Sequence, residues 1–507
     1  MLPPRAIAIP VVAPTLSEAL RRVAEAERLG DVIEFRLDYM ADFSPADPVY
    51  SVRPLVNATT RPIILTYHPA FTRQPEQVPP FEDQVACWRA LFSLTNVDRV
   101  YFDLDLQLAR WFQSSGEPVP WDRVIASYHN FTETPQPLSL VYEQLAATPA
   151  AVLKIATHAQ VISDNLRLFD VLARAIQDHR PLIALTMGEA GFMSRILSPA
   201  WGGLLTFGAL TEHEATAPGQ LTAEQLIHLF RVRQIDQDVN IAGVIGNAVQ
   251  HSLSPLLHNT AYQHRSLNWV YLPLQVTDLS AFMRDFVRRS TRRMNWHLRG
   301  LSVTIPHKVE AIRFVDALDP VAEQVGALNT LVMDGERIIG YNTDVEGAMR
   351  PLRQRIQLRD ARVVVLGAGG AARAVCFGLQ REGARVTVLA RDVTKAADVA
   401  RQFNASVDTL SALARYPHDV LINTTPVGMQ DADPVTPVPT DLLIPGTVVF
   451  DLVARRDETP LLEAARAAGC AVIGGVEMLV YQAAQQWELW TNQTAPLEVM
   501  FKSVGLH

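Results

Sequence analysis

The sequence predicts an α/β protein in two parts: a (β/α)8 TIM barrel, then a two-lobed unit with a Rossmann nucleotide-binding half. Three observations carry this. Over about the first 220 residues, eight short apolar runs alternate with stretches of helical period. From Arg362, apolar residues run directly into a glycine-rich turn and a small-residue helix start, RVVVLGAGGAARAV. The chain has 507 residues, 48% hydrophobic and 19% charged, enough for two to four domains and more than one buried core.

The eight runs are AIAIPVVA from Ala6, VIEFRLD from Val32, PIILTYH from Pro62, VYFDLDL from Val100, VIASYHN from Val124, AVLKIAT from Ala151, LIALTMG from Leu182 and LLTFGAL from Leu204. Eight strands with helical connections are the arithmetic of a barrel; an open doubly wound sheet is the weaker alternative.

Polar residues alternate with apolar ones inside these strands. Glu34, Arg36 and Asp38 share one face, and Ile33, Phe35 and Leu37 the other. Helices cover the outside of a parallel barrel, so the polar set points inward. The same alternation groups Asp103 with Asp105 and sets Lys154 between Leu153 and Ile155. A buried charge is costly unless paired, and the C-terminal mouth of a barrel is where such groups become a site. Arg36, His129, Lys154 and Arg195, from four strands or strand ends, form a cationic set suited to an anionic substrate. A lysine in an apolar strand is predisposed to lose its proton and attack a carbonyl, forming an imine. An interior Glu34–Arg36 ion pair, with Lys154 answering a carboxylate, is the structural alternative.

The segments IEFRLDY, IASYHNF, VLKIATHA, TMGEAGFMSRI and TAPGQ, in that order, resemble type I 3-dehydroquinate dehydratase over roughly residues 5–225. The resemblance implies that Lys154 is the Schiff-base lysine and His129 the general acid/base. It implies that Glu34, Arg36, His68, Arg195, Thr216 and Gln220 bind the substrate's carboxylate and hydroxyls, with no metal. Thr216 stands where serine is usual and His68 where the family has arginine. Thr72 replaces the glutamate that orients the histidine, Arg73 and Gln74 replace the glycines after it, and Glu76 lies nearby.

A helix-like segment, LTAEQLIHLFRVRQI, and the polar DQDVN place a boundary before Ile241. The expected domains are 1–235 for the barrel, 236–345 for a substrate domain completed by 478–507, and 346–477 for the nucleotide domain. HSLSPLLHNTAY, GLSVTIPHK, ALNTLV and GYNTDVEGA then put hydroxyls, a lysine, amides and an aspartate at strand ends and turns, where loops present functional groups. Gly367, Gly369 and Ala372 occupy the positions of G-x-G-x-x-G/A, which let a backbone approach a pyrophosphate at a helix N-terminus. The next strand ends ALARDVTK. Arg391 and Lys395 there suit the 2′-phosphate of NADP, whereas Asp392 is the residue type that NAD sites use.

Together with INTTPVGM, ETPLL and GGVEMLVYQAAQQWELWT, these strings resemble shikimate dehydrogenase over nearly all of residues 240–500. The resemblance implies reduction of 3-dehydroshikimate, with Lys308 as the catalytic lysine paired to Asp344. Ser252, Ser254, Thr304, Asn329 and Gln482 match substrate-binding positions. Gly367, Ala368, Gly369, Gly370, Ala371, Arg391, Lys395, Thr424 and Met478 fall on or beside the NADP(H) site. Ser302 replaces the usual asparagine, and Ala454, Arg455 and Arg456 stand where the family carries a tyrosine string. A purely structural Lys308–Asp344 ion pair is the alternative for those two residues.

The combined expectation is a bifunctional enzyme of the shikimate pathway, dehydrating 3-dehydroquinate and then reducing the product. The alternatives are a shikimate or quinate dehydrogenase with an impaired barrel, and a metabolite-sensing regulator. The 45 basic and 53 acidic side chains, net −8 with no like-charge run, exclude a nucleic-acid or anionic-membrane footprint and leave small-molecule partners. Three scattered cysteines, no signal-peptide pattern and no membrane-length apolar window fit a soluble cytoplasmic protein. The sequence leaves a homodimer open.

Overall fold

In the computed structural model the described residues are 2–71, 78–429, 435–455 and 457–506. All eight predicted barrel strands are present: β1 (Ala6–Val11), β2 (Val32–Arg36), β3 (Ile63–Thr66), β4 (Val100–Asp105), β5 (Val124–Asn130), β6 (Val152–His158), β7 (Leu182–Met187) and β8 (Leu205–Phe207). They form one parallel sheet in the order β7-β6-β5-β4-β3-β2-β1-β8. Its ends are drawn together where Leu204 N donates to Leu182 O at 2.8 Å, which leaves the barrel nearly closed.

The inward positions change character along the strands. At one end Ala8, Val32, Ile64, Tyr101, Ile125, Val152 and Ile183 pack into an apolar plug. Each such side chain contributes about 1.5–3 kcal/mol when fully buried, so this layer can support a polar one above it. Two residues further on, the inward set becomes Glu34, Thr66, Asp103, Ser127 and Lys154, all buried. Strand register aligns Arg36 with Thr66 and Thr66 with Asp103, and Ser127 with Lys154.

The chain divides into two compact units: Met1–Val239 with Leu274–Val276, and Asn240–Pro273 with Thr277–His507. The second unit carries two six-stranded sheets. The first is ordered β10-β9-β11-β13-β14-β12, from β9 (Asn240–Gly246), β10 (Trp269–Gln275), β11 (His297–Val303), β12 (Ala317–Leu318), β13 (Thr330–Asp334) and β14 (Arg337–Tyr341). The second is parallel and ordered β17-β16-β15-β18-β19-β20, from β15 (Arg362–Leu366), β16 (Arg385–Ala390), β17 (Ser406–Thr409), β18 (Val420–Asn423), β19 (Val448–Asp451) and β20 (Ala471–Gly474). This is the 3-2-1-4-5-6 order of a dinucleotide fold, whose ligand crevice lies where the order reverses, beside β15 and β18.

The helix Gly475–Thr491 follows the last strand of the second sheet, yet its apolar side packs on the first. Val480, Ala483, Trp487 and Trp490 join Ala242, Leu257, Tyr262 and Tyr271 in one core, which Met500 completes.

One expectation fails. Residues 221–235 do not form a continuous helix; only 223–229 is helical, and Gln225–Leu229 within it is wound as a π turn. Arg231 sits at φ +54, which breaks any helix, and Val232 N turns back to Leu226 O. Leu226, Phe230, Val232 and Ile235 are nonetheless all buried, so the apolar spacing is satisfied by an irregular wrap. No helix among the described residues is long and apolar enough to cross a membrane.

Candidate active sites

The polar layer of the barrel opens into a cavity lined by Glu34, Arg36, His68, His129, Lys154, Arg195, Thr216 and Gln220, every barrel residue for which the resemblance implied a catalytic or substrate-binding role. Thr66, Phe131, Met187 and Phe207 line it as well. Lys154 projects from the middle of β6. Its Nζ donates to Asp103 Oδ2 at 2.7 Å, lies 3.8 Å from Glu34 Oε1, and sits 4.7 Å from the Phe207 ring centroid. Burial alone would raise the Asp103 carboxyl, but Lys154 and His68 outweigh it and hold it well below the usual carboxylate range.

His129, at the end of β5, faces the cavity between two rings. Phe131 stacks on it at 6.3 Å and 12°, and His68 tilts against it at 5.2 Å and 59°. Burial, and then the Lys154 charge, hold His129 well below the usual imidazole range, so at neutral pH it is a base.

The Glu34–Arg36 pair of the structural alternative does not form, and one placement differs from expectation. Arg36 pairs with Asp38 instead: Nε to Oδ1 is 3.1 Å and Nη2 to Oδ2 is 2.7 Å. Burial opposes the Arg36 charge, but Asp38 overcomes this and pushes the guanidinium up. Glu34 instead accepts from Thr66 Oγ1 at 2.7 Å, which turns its carboxylate toward Lys154. Arg195 lies on the helix Phe192–Ala200 rather than at a strand end. It is 2% exposed, and burial lowers its guanidinium to about 10. Its Nη2 donates to Pro218 O at 3.1 Å, tying down the loop in which Gln220 Oε1 accepts from Thr216 N and Oγ1 at 2.6 and 2.9 Å. Thr72, Arg73, Gln74 and Glu76 lie outside the described residues.

In the second unit Lys308 Nζ donates to Asp344 Oδ2 at 2.5 Å. Asn329 Nδ2 donates to Asp344 Oδ1 at 2.8 Å and lies 3.2 Å from Gln482 Oε1, so four of the expected residues meet. A buried hydrogen-bonded chain reaches them across β10, β11 and β13. The Tyr271 hydroxyl, which also bonds Ser254, donates to Ser302 Oγ at 2.7 Å, and Ser302 donates to Gln486 Oε1 at 2.7 Å. Gln486 Nε2 then donates to Thr330 Oγ1 at 2.9 Å, and Thr330 to Asn329 Oδ1 at 2.8 Å. The short side chain of Ser302 is what lets Tyr271 and Gln486 meet there. Ser252 Oγ accepts from Ser254 N at 3.2 Å, and Thr304 packs at Gly246.

The glycine-rich turn fits a dinucleotide. Gly367 has φ +108, and a Cβ there would lie 2.7 Å from Thr424 Oγ1, itself bonded to Leu366 O. A Cβ on Gly369, the N-cap of the helix Gly370–Arg381, would meet nothing within 4 Å, so the space before that N-terminus is clear. A Cβ on Gly370 would touch the stem of Lys308 at 3.4 Å, so Ala371 and Gly370 open this helix beside the lysine. Met478 is buried on the helix that carries Gln482, and Ala368 lies in the turn. Arg391 and Lys395 are exposed beyond β16. Asp392 is taken up as a helix cap, accepting from Lys395 N at 3.1 Å.

Four family models match in chain order. They are type I 3-dehydroquinase over 7–237, shikimate dehydrogenase substrate binding domain over 244–331, shikimate / quinate 5-dehydrogenase over 351–428, and shikimate 5′-dehydrogenase C-terminal domain over 475–504. The bifunctional 3-dehydroquinate dehydratase/shikimate dehydrogenase of Arabidopsis thaliana, a chloroplastic protein, is 34% identical over 524 residues, covering 98% of this chain and 84% of the relative. The chain belongs to this bifunctional family.

Half of it also matches the NADP(+) shikimate dehydrogenase of Syntrophobacter fumaroxidans, 42% identical over 50% of this chain and 87% of that protein. A solved structure of the dehydroquinate dehydratase and shikimate dehydrogenase of S. pombe AroM is 25% identical, with TM-score 0.43, covering 99% of this chain and 98% of that one.

Within the bifunctional family's pattern, sequence reasoning left three residues without a role: Asp103 and Phe207 around Lys154, and Tyr271 behind Ser254. Asp103 had a signal, a charge on the inward face of an apolar strand. Tyr271 had none, since a tyrosine in WVYLPLQ reads as core.

Proposed function

We propose that the barrel dehydrates 3-dehydroquinate to 3-dehydroshikimate through an imine on Lys154, and that the second unit reduces this product to shikimate with NADPH. The observation that carries the reading is the barrel cavity, where a buried lysine and a base converge with six further expected residues. Lys154 attacks the ketone carbon and water leaves, giving an imine that acidifies the adjacent carbon. His129, neutral at the cavity wall, takes that proton; the imidazolium returns it to the departing hydroxyl as water, and hydrolysis of the imine frees the lysine. Arg195, Thr216 and Gln220 receive the carboxylate, while Glu34 and Arg36 face the hydroxyls.

In the reductase, a nicotinamide held at the glycine-rich turn would supply the hydride. Lys308 donates a proton to the ketone oxygen as charge develops there, and Asp344 holds the lysine in place. Ser252, Ser254, Thr304, Asn329 and Gln482 orient the ring. Gly367, Gly369 and Gly370 admit the pyrophosphate, and Arg391 with Lys395 select the 2′-phosphate. The capping role of Asp392 supports NADP over NAD. The three buried cysteines, Cys87, Cys376 and Cys470, support action in the reducing cytoplasm.

Borohydride added with 3-dehydroquinate should fix a covalent adduct on Lys154. Absence of the adduct, or its persistence in Lys154→Ala, refutes the assignment. Lys308→Ala should lower the reductase rate by about 10²–10⁴-fold while sparing dehydration. Equal loss of both activities would contradict separate sites.

A further inference from the structure

His68 stands just beyond β3, on the same inward face as Thr66, and is 4% exposed. The family has arginine at this place, and an arginine would read as a substrate contact. The imidazole is placed otherwise. Its Nε2 faces Asp103 Oδ1 at 3.5 Å, and its ring lies against His129 at 5.2 Å, tilted by 59°. The other carboxylate oxygen of Asp103 is committed to Lys154 at 2.7 Å. One fully buried carboxylate therefore ties the imine-forming lysine to an imidazole that leans on the base.

We infer that His68 is a positioning residue of the dehydration: held by Asp103, it fixes the angle of the His129 ring in the cavity. The Asp103 carboxylate faces Nε2 at 3.5 Å, so the His68 ring cannot turn without losing this contact. Phe131 stacks on His129 in a nearly parallel arrangement, 12°, but offers no polar atom, whereas His68 is anchored on β4 through Asp103. The charged and titratable groups around His129 are Glu34 and Arg36 from β2, His68 from the end of β3, Asp103 from β4, Lys154 from β6 and Arg195 from the helix after β7. Of these, Lys154, His68 and Arg36 oppose protonation of His129, and Asp103 favours it.

The inference rests on the dehydratase reading, and the test separates the two. Steady-state dehydration by the full chain is measured against pH for wild type, His68→Asn and His68→Gln, with reductase turnover and borohydride trapping on Lys154 as checks of folding and imine formation. Both variants should still trap substrate. Their kcat should fall about tenfold, a fraction of what a general base contributes, with KM within about twofold. The acid limb of kcat should move to higher pH, because a neighbour that opposes protonation of His129 is gone. A raised KM with kcat kept makes His68 a substrate contact and overturns the inference, as does an unchanged pair of constants or an unmoved limb. If wild type itself neither traps nor dehydrates, the dehydratase reading falls and this inference with it.

Discussion

Replacing Asp103 with asparagine tests the electrostatics at the centre of the barrel. Asp103 is fully buried, 2.7 Å from Lys154 Nζ and 3.5 Å from His68 Nε2. Asparagine keeps the volume and one carbonyl acceptor but removes the charge. Removing one partner of a buried ion pair costs about 3–5 kcal/mol, because the other charge is left uncompensated. Here Glu34 Oε1, 3.8 Å from the same Nζ, retains part of the compensation. The expected loss is therefore about 2–3 kcal/mol, below the usual range. At about 2–4 °C per kcal/mol for a unit of this size, the barrel's melting transition should fall by about 4–12 °C. Scanning calorimetry of the full chain at pH 7 reads this directly, with the other unit's transition as internal control. The folded Asp103 carboxyl is held below its unfolded value of about 3.9, so its contribution is present above that pH and fades as pH falls toward the folded value. The gap between wild type and Asp103→Asn should accordingly narrow below about pH 4. A shift within about 2 °C at pH 7 would refute the claim that this carboxylate compensates Lys154.

Four more expectations follow from the two sites. His129 is held well below 6.5, so kcat for dehydration should stay level through that pH and decline only further into acid; a limb centred at 6.5 contradicts the neutral-base assignment. Gly367→Ala, forced to φ +108 with a Cβ 2.7 Å from Thr424 Oγ1, should cost about 1–3 kcal/mol in urea unfolding. Gly369→Ala should cost less than about 1 kcal/mol while raising the KM for NADPH, and the reverse ranking would show that the turn does not approach the nucleotide. Arg391→Ala removes a charged contact worth about 1.5–3 kcal/mol, so KM for NADPH should rise about 10–100-fold with NADH kinetics unchanged; equal loss with both cofactors counts against a 2′-phosphate role.

The barrel was legible because strands buried on both faces read as apolar runs, and the polar residues inside them then stand out at period two. The partners of those residues were not legible. Lys154 reaches Asp103 across β5, a distance set by the cylinder rather than by either strand's pattern. Arg36 turns to Asp38, two residues away, because the chain leaves β2 in a 3₁₀ turn that brings the carboxylate back. The segment after Leu221 carries helical spacing, yet one left-handed residue, Arg231, redirects it while Leu226, Phe230, Val232 and Ile235 still reach the core. In the reductase, Lys308, Asp344 and Asn329 were legible as strand-end polar groups. The donors behind them, Tyr271, Ser302 and Gln486, come from three distant segments and carry no local signature.

The helix Gly475–Thr491 dictates an order of assembly. The sheet begun at Asn240 has its core closed by Val480, Trp487, Trp490 and Met500, which are synthesised after every strand of both sheets. The parallel sheet between Arg362 and Gly474, though later in sequence, holds its own strands and core before that point. During synthesis the nucleotide sheet can therefore fold while the substrate sheet still exposes Ala242, Leu257 and Tyr262. Of these two lobes, the one that starts first closes second, and the arrival of Val480, Trp487, Trp490 and Met500 decides when its core no longer needs protection from aggregation.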